Sequence, residues 1–292
     1  MELITRTEDG FYRLPAFIDA HVHVESSHLT PARFGRLLAA QGTLTAICDP
    51  HEIVNVMGEA GLEFMLADAK RSPADLRFAL PSCVPATPFE TSGAALSRYA
   101  ASGISSDHES LTADEAVEKV AAGLTVFIRE GSAAKNLAAL LPAVNDGNWE
   151  HFCFCTDDIS AADLLTSGGI VNCIRSAVRL GMDPERAVAL ATLNPARHYG
   201  LMPSDRDYVV VRNLADFEIV RVVKNGRPLE TSDETDDTPF AANTVRLPDL
   251  SRHVFRAPAP KDGRLDVIGV LDGSLITEHL RRDRHDHCAR PP

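Results

Sequence analysis

A chain of 292 residues that is 45% hydrophobic and 24% charged can bury a full core, which excludes a disorder-dominated class and predicts one large domain plus a smaller element. Its 41 acidic side chains against 29 basic ones, a formal net charge of −12, argue against nucleic acid as a partner and for a small molecule. No apolar run of about 18 residues is present, so no membrane span is expected.

Six cysteines (Cys48, Cys83, Cys153, Cys155, Cys173 and Cys288) lie at irregular spacing, and no apolar signal segment opens the chain. This pattern reads as reduced thiols in a cytoplasmic protein. Cys153-Phe154-Cys155 lacks the Cys-x-x-Cys spacing of zinc and redox motifs and reads as strand packing.

Residues 1–14 are short and polar and lead into Phe17-Ile18-Asp19-Ala20-His21-Val22-His23-Val24, an apolar run that reads as a buried strand. Period-2 geometry points His21 and His23 to one side, about 7 Å apart, where both could grip one metal ion. The strand ends in polar Glu25-Ser26-Ser27, and a helix follows over 31–41, with Thr30 as N-cap, proline at the first helical position and Gly42 after the last turn. Residues 43–48 form a β-branched strand ending in Asp49-Pro50-His51-Glu52. A helix over 60–71 and a strand over 75–80 lead to Pro81-Ser82-Cys83.

Strands alternating with helices across short connections predict an α/β fold with a parallel sheet. Between 85 and 103 the rhythm falters, with no convincing strand. It resumes with a strand over 103–109, a Thr112-to-Glu115 capping box opening a helix to 122, and a strand over 124–128 ending in Arg129-Glu130-Gly131-Ser132. A helix near 136–141 and a strand over 152–155 ending in Thr156-Asp157-Asp158 come next. Two more helices are expected, the second from Asp183-Pro184 toward His198. Six strand-then-helix units result, where a closed (β/α) barrel needs eight.

Beyond Tyr208 the period turns to β, with strands over 208–211 and 217–223, an Asn225-Gly226 hairpin signal, an acidic loop over 230–237, and strands over 265–271 and 274–276. The tail over 281–292 mixes Arg, Asp and His without period; its His285 and His287 read as solvated residues.

The polar strand ends collect His21, His23, His108 and Asp157. Three imidazoles and a carboxylate are a donor set that zinc, manganese or iron accepts. Asp157 is the candidate proton carrier of that site. Asp158 stays open as the alternative, because adjacent residues point oppositely, and either aspartate could instead cap a helix.

These residues resemble the adenine deaminases of the amidohydrolase superfamily. The matching blocks are residues 17–27, Asp49-Pro50-His51-Glu52-Ile53-Val54-Asn55-Val56, residues 80–93, Ser106-Asp107-His108-Glu109, Arg129-Glu130-Gly131-Ser132-Ala133-Ala134-Lys135-Asn136, Cys155-Thr156-Asp157-Asp158, Ala191-Thr192-Leu193-Asn194-Pro195-Ala196, and Leu275-Ile276-Thr277-Glu278-His279-Leu280. The resemblance implies a TIM-barrel-like, metal-dependent hydrolase that converts adenine to hypoxanthine and ammonia by hydroxide attack on C6. It carries His21, His23 and His108 over as metal ligands, and Asp157 as ligand and proton carrier. Glu109 and Glu130 become catalytic candidates, and Glu52, Ser82 and Arg129 become substrate-binding candidates, although Arg129 and Glu130 could simply pair with each other. The cofactor implied is a divalent Mn, Fe or Zn ion.

The resemblance also has gaps. Family members carry a longer region between Gly93 and Gly103, holding a glutamate that bridges two metals and a histidine ligand from a Gly-His-Ala-Pro-type block. Here both are missing, where the strand count fell two short. The N-terminal flank and the connection over 201–205 are shortened too. The expectation is an incomplete barrel over 1–202, abbreviated between 93 and 103, with a small β-rich element over 203–292. One metal is expected, or two if another carboxylate replaces the bridge, and open sheet edges favour a homo-oligomer. Two alternatives stay open: a weakly active or non-catalytic remnant of an adenine deaminase, and an amidohydrolase acting on cyclic amides.

Overall fold

The computed structural model describes residues 3–80, 92–230, 261–271 and 277–283. Strand β1 (Thr5–Arg6) pairs antiparallel with β2 (Tyr12–Pro15), and the chain then enters β3 (Phe17–His23), almost wholly buried as strands covered on both faces are. Helix α1 (Pro31–Ala40) starts as expected, with Thr30 extended and Pro31 in the first turn, and buries Phe34, Leu38 and Ala39. Gly42, at φ +82°, turns the chain into β4 (Thr43–Cys48); a Cβ there would lie 2.9 Å from Val209 and 3.0 Å from the Phe17 ring. Helices α2 (His51–Met57) and α3 (Glu59–Ala69) and strand β5 (Asp75–Phe78) complete the first half.

Helix α4 (Gly93–Ala101) occupies the stretch without a strand signal. Only β6 (Ser106–Asp107) forms from the strand expected over 103–109. Its flanks are polar and Gly103 sits at φ +98°, so little of it can join a ladder. In α5 (Ala113–Ala121) the Thr112 side chain accepts from the Glu115 amide, as a capping box requires, while the Glu115 carboxylate reaches back to the Leu111 amide. Strand β7 (Thr125–Arg129), helix α6 (Leu137–Leu140), strand β8 (Phe152–Cys155) and strand β9 (Asp157–Asp158) follow.

After α7 (Ala161–Ser167) and α8 (Ile170–Arg179), the expected long helix is split into α9 (Pro184–Leu190) and α10 (Leu193–His198). Pro195 is the reason. Inside one continuous helix it would leave a carbonyl without a donor, whereas the break at Thr192, φ −139°, places it in the first turn of α10 where no donor is needed.

The parallel strands form two sheets, in the orders β5-β4-β3-β9 and β6-β7-β8. Since β8 runs into β9 through Thr156 alone, residues 152–158 belong to both, and the strands make one arc with six positions. Among the described residues no strand pairs with the outer side of β5 or β6, so the ring is open between them. That opening coincides with the two units missing from the sequence rhythm.

One core packs Val126, Ile128, Phe152 and Phe154 against Ile170, Ile174 and Val188; another gathers Val22, Phe34, Leu38, Leu44 and Met65. Cys153 and Cys155 are free and buried with Ala20 and Phe127, a packing role, and burial pushes both thiols up. Cys83 and Cys288 lie outside the described residues.

The β-rich part draws on both ends of the first compact unit, Met1–Thr238. Strands β10 (Tyr208–Val211), β11 (Ile219–Lys224) and β12 (Arg227–Pro228) join β1 and β2 in one antiparallel sheet, because β10 pairs with β2. Asn225 and Gly226, both at positive φ, make the expected two-residue hairpin. In the second unit, Pro239–Pro292, β13 (Arg264–Val270) pairs antiparallel with β14 (Thr277–Asp283). The strand expected over 274–276, the acidic loop from 231 onward and the tail beyond 283, with His285 and His287, lie outside the described residues. Among those described, no helix is long and apolar enough to cross a membrane.

Candidate functional site

The alternating geometry of β3 turns His21 and His23 to one side, and their Nε2 atoms are 3.2 Å apart. Strand β9 lies beside β3, with Asp157 opposite Val22. Asp157 adopts a left-handed φ of 55°, a conformation aspartate tolerates better than most residues. Its Oδ1 thereby sits 3.1 Å from His23 Nε2 and 3.5 Å from His21 Nε2. His108, just past β6, stacks its ring on His21 at 4.1 Å between centroids. Donor atoms of His21, His108 and Asp157 all lie within 4.8 Å of one another. The four residues collected from the strand ends therefore meet.

Between the two aspartates, Asp157 faces the imidazoles directly. Asp158 accepts from Ser26 Oγ, although one of its oxygens also falls in a donor group with His23 and Asp157. Arg129, 1% exposed at the end of β7, donates from Nη1 to Asp157 Oδ2 at 2.8 Å and from Nη2 to Glu109 Oε2 at 2.9 Å. The simple Arg129–Glu130 pairing is not what forms. Glu130 accepts instead from the Leu137 amide at 3.3 Å, at the start of α6. Glu109 stands at the rim, its other oxygen 3.4 Å from His108 Nε2. Glu52 lies on the opposite side of His23, 3.6 Å from Nδ1. Ser82 lies outside the described residues.

The electrostatics suit a cation. Burial opposes ionisation of Asp157, but hydrogen bonds from His21 and His23 outweigh it and hold the carboxyl well below the usual carboxylate range. Burial likewise disfavours a charged His23, yet Asp157 and Glu52 raise it to about 9, so positive charge is drawn to this spot. Burial and the neighbouring His21 push His108 down to about 3, leaving a neutral ring with a free lone pair. An ionised carboxylate beside the neutral His108 ring, and a His23 whose proton a cation would displace, fit a first-row divalent ion.

Two features escaped the sequence reading. Asp19, fully buried, accepts from the Thr156 hydroxyl at 2.5 Å, the Thr156 amide at 3.1 Å and the His21 amide at 3.3 Å, tying β3 to the loop that presents Asp157. Burial pushes its carboxyl up to about 6 despite these bonds. Its position inside a strand pattern was the only available signal. Asp49 and His51, read only as polar residues at a strand end, face His23: the Asp49 carbonyl is 2.9 Å from its Nδ1, and the His51 ring meets it edge-on at 4.7 Å.

The chain matches the Amidohydrolase family in two pieces, residues 12–133 and 119–229. It is 37% identical to an adenine deaminase of Nitratidesulfovibrio vulgaris over 96% of its own length and 61% of that protein's. It is 34% identical to one of Geobacillus kaustophilus, over 94% and 61%. The chain thus spans about three-fifths of the length of the curated relatives it matches. The first alignment runs over 353 positions, more than the 292 residues present, so that relative has internal segments without a counterpart here. Among solved structures, a beta-aspartyl dipeptidase of Fervidobacterium islandicum AW-1 shares the fold, with a TM-score of 0.53 at 14% identity over 78% of this chain and 85% of that one.

Proposed function

The chain belongs to the amidohydrolase family, and from that membership we propose that it hydrolyses adenine to hypoxanthine and ammonia. The likeness to adenine deaminases across almost the whole chain supports the purine substrate. The observation that carries the chemistry is the ionised Asp157 set between two imidazoles and a buried guanidinium.

His21, His23, His108 and Asp157 are the residues that would hold a divalent Mn, Fe or Zn ion, which when bound supplies a Lewis acid that brings the pKa of water toward neutrality. Asp157 Oδ1 accepts the proton that the attacking water gives up and returns it to the departing amine. Arg129 keeps Oδ2 occupied, so that the opposite oxygen stays turned to the imidazoles. Glu109, which accepts from the second nitrogen of the same guanidinium, would meet a ring nitrogen of the purine in this reading. Glu130 we assign to holding α6. Among the described residues no strand covers the outer sides of β5 and β6, which favours self-association, and we extend this to a homo-oligomer.

A weakened remnant is the second reading, favoured by the open ring and by the shorter length relative to the matched deaminases. Incubating the manganese-loaded chain with adenine separates the two. Ammonia and hypoxanthine appearing in equal amounts support hydrolysis, and no ammonia above that of a protein-free control contradicts it.

A further inference from the structure

The turn that carries His108 and Glu109 is fastened by a buried lysine. Lys119, in the last turn of α5, is 5% exposed, and lysine is almost never so deep without partners. Its Nζ donates to Asp107 Oδ2 at 2.9 Å and to Glu115 Oε1 at 2.7 Å. Burial works against the ammonium, but Glu115 and Asp107 outweigh it, and the charge stays.

Those two carboxylates hold opposite ends of the turn. Asp107 Oδ2 also accepts from the Ser110 hydroxyl at 2.7 Å and the Ser110 amide at 3.1 Å, closing the chain around His108 and Glu109. Glu115 Oε2 accepts from the Leu111 amide at 2.9 Å, on the far side. The Ser110 carbonyl accepts from Asn136 Nδ2 at 2.9 Å, and Asn136 Oδ1 accepts from the Arg129 amide at 2.8 Å, which ties the turn to the end of β7 as well. His108 itself meets the centre through its ring stack on His21 and a 3.4 Å approach to Glu109, its own neighbour. Neither contact is a hydrogen bond to another element, so the place of its nitrogens follows from the backbone of the turn. Desolvation offsets most of what a buried ion pair gains in stability; what an ammonium adds here is a fixed separation of two carboxylates.

We propose that Lys119 is a positioning residue of the metal centre: by joining Asp107 to Glu115 it sets the turn that brings His108 beside His21 and Asp157. The proposal rests on reading His21, His23, His108 and Asp157 as a cation site, and not on adenine as the substrate. Its route to the ion is His108, which gives the role a signature that a general loss of stability lacks.

Cobalt titration of the chelator-stripped chain, read by the visible absorption of Co2+ bound at the first equivalent, tests it. Lys119→Met should weaken that affinity by about tenfold, the low end for groups that orient a metal ligand. In a His108→Ala background the same substitution should change it by less than about twofold, because the route to the ion is already cut. An unchanged affinity in the first comparison, or an equal loss in both backgrounds, overturns the proposal. Affinity that ignores His21→Ala/His23→Ala fails the cation site itself and the proposal with it, a result distinct from a site that needs those histidines but not Lys119. Should Lys119→Met fail to fold, Glu115→Gln, at a partly exposed side chain, takes its place. A loss of about two- to fivefold is then expected in the parent chain, the scale of one such ion pair, with none in His108→Ala, and an unchanged affinity overturns the proposal.

Discussion

Asp157→Asn is expected to lower adenine hydrolysis by about 100- to 10,000-fold, the range over which a positioned proton carrier acts. The amide keeps the side chain's shape but loses the negative charge. That charge balances a His23 raised to about 9 and holds one end of the Arg129 guanidinium. Cation affinity should fall with the rate, because one donor of the cluster becomes a weak ligand. Steady-state ammonia release and manganese titration of the same preparation read both effects. A variant that keeps the parental rate removes Asp157 from the chemistry. Circular dichroism of the variant guards against reading a folding defect as a catalytic one.

Arg129→Met is expected to destabilise the fold by about 3–5 kcal/mol, the range for removing one partner of a buried ion pair. Methionine fills much of the same volume, so the loss is electrostatic more than steric. Arg129 is 1% exposed and Asp157 4%, and neither charge has water to fall back on. Glu109, out at the rim, should contribute little to the loss, since water screens it. Lysine should restore only part of the stability, because a single ammonium cannot repeat a fork whose two nitrogens reach Asp157 and Glu109 at 2.8 and 2.9 Å. Urea unfolding of the three proteins at one pH measures this, and equal midpoints contradict a buried structural charge at position 129.

How much of this could be read from residues alone varied with how local the cause was. Strand β4 coincides with the expected 43–48 because β-branched and apolar residues fill it and Gly42 marks its start. His21 and His23 share a side through period 2, a property of any strand. The count of six strand positions also held, since each strand with its following helix is a local pattern. Helix α2 was missed: Asp49-Pro50-His51-Glu52 reads as loop chemistry, although a proline just before the first turn is compatible with a helix start. The partners of Arg129 were out of reach for another reason. Glu130 is its neighbour in sequence, but adjacent strand residues point apart, and the true partners lie 28 and 20 residues away on other elements. The stack of His108 on His21 likewise depends on how the two sheets meet through residues 152–158, which no local period encodes. The pairing of β10 with β2, across nearly the whole first unit, is of the same kind.

Whether imidazoles from β3 and from the end of β6 surround one cation together with Asp157 is answered most directly by zinc K-edge absorption on protein carrying a single equivalent of zinc. Nitrogen and oxygen neighbours at about 2.0–2.1 Å with strong imidazole multiple scattering are expected, and that scattering should weaken in His21→Ala/His23→Ala and in His108→Ala. An imidazole signal unchanged by those substitutions, or none in the parent chain, would contradict a shared centre at these four residues.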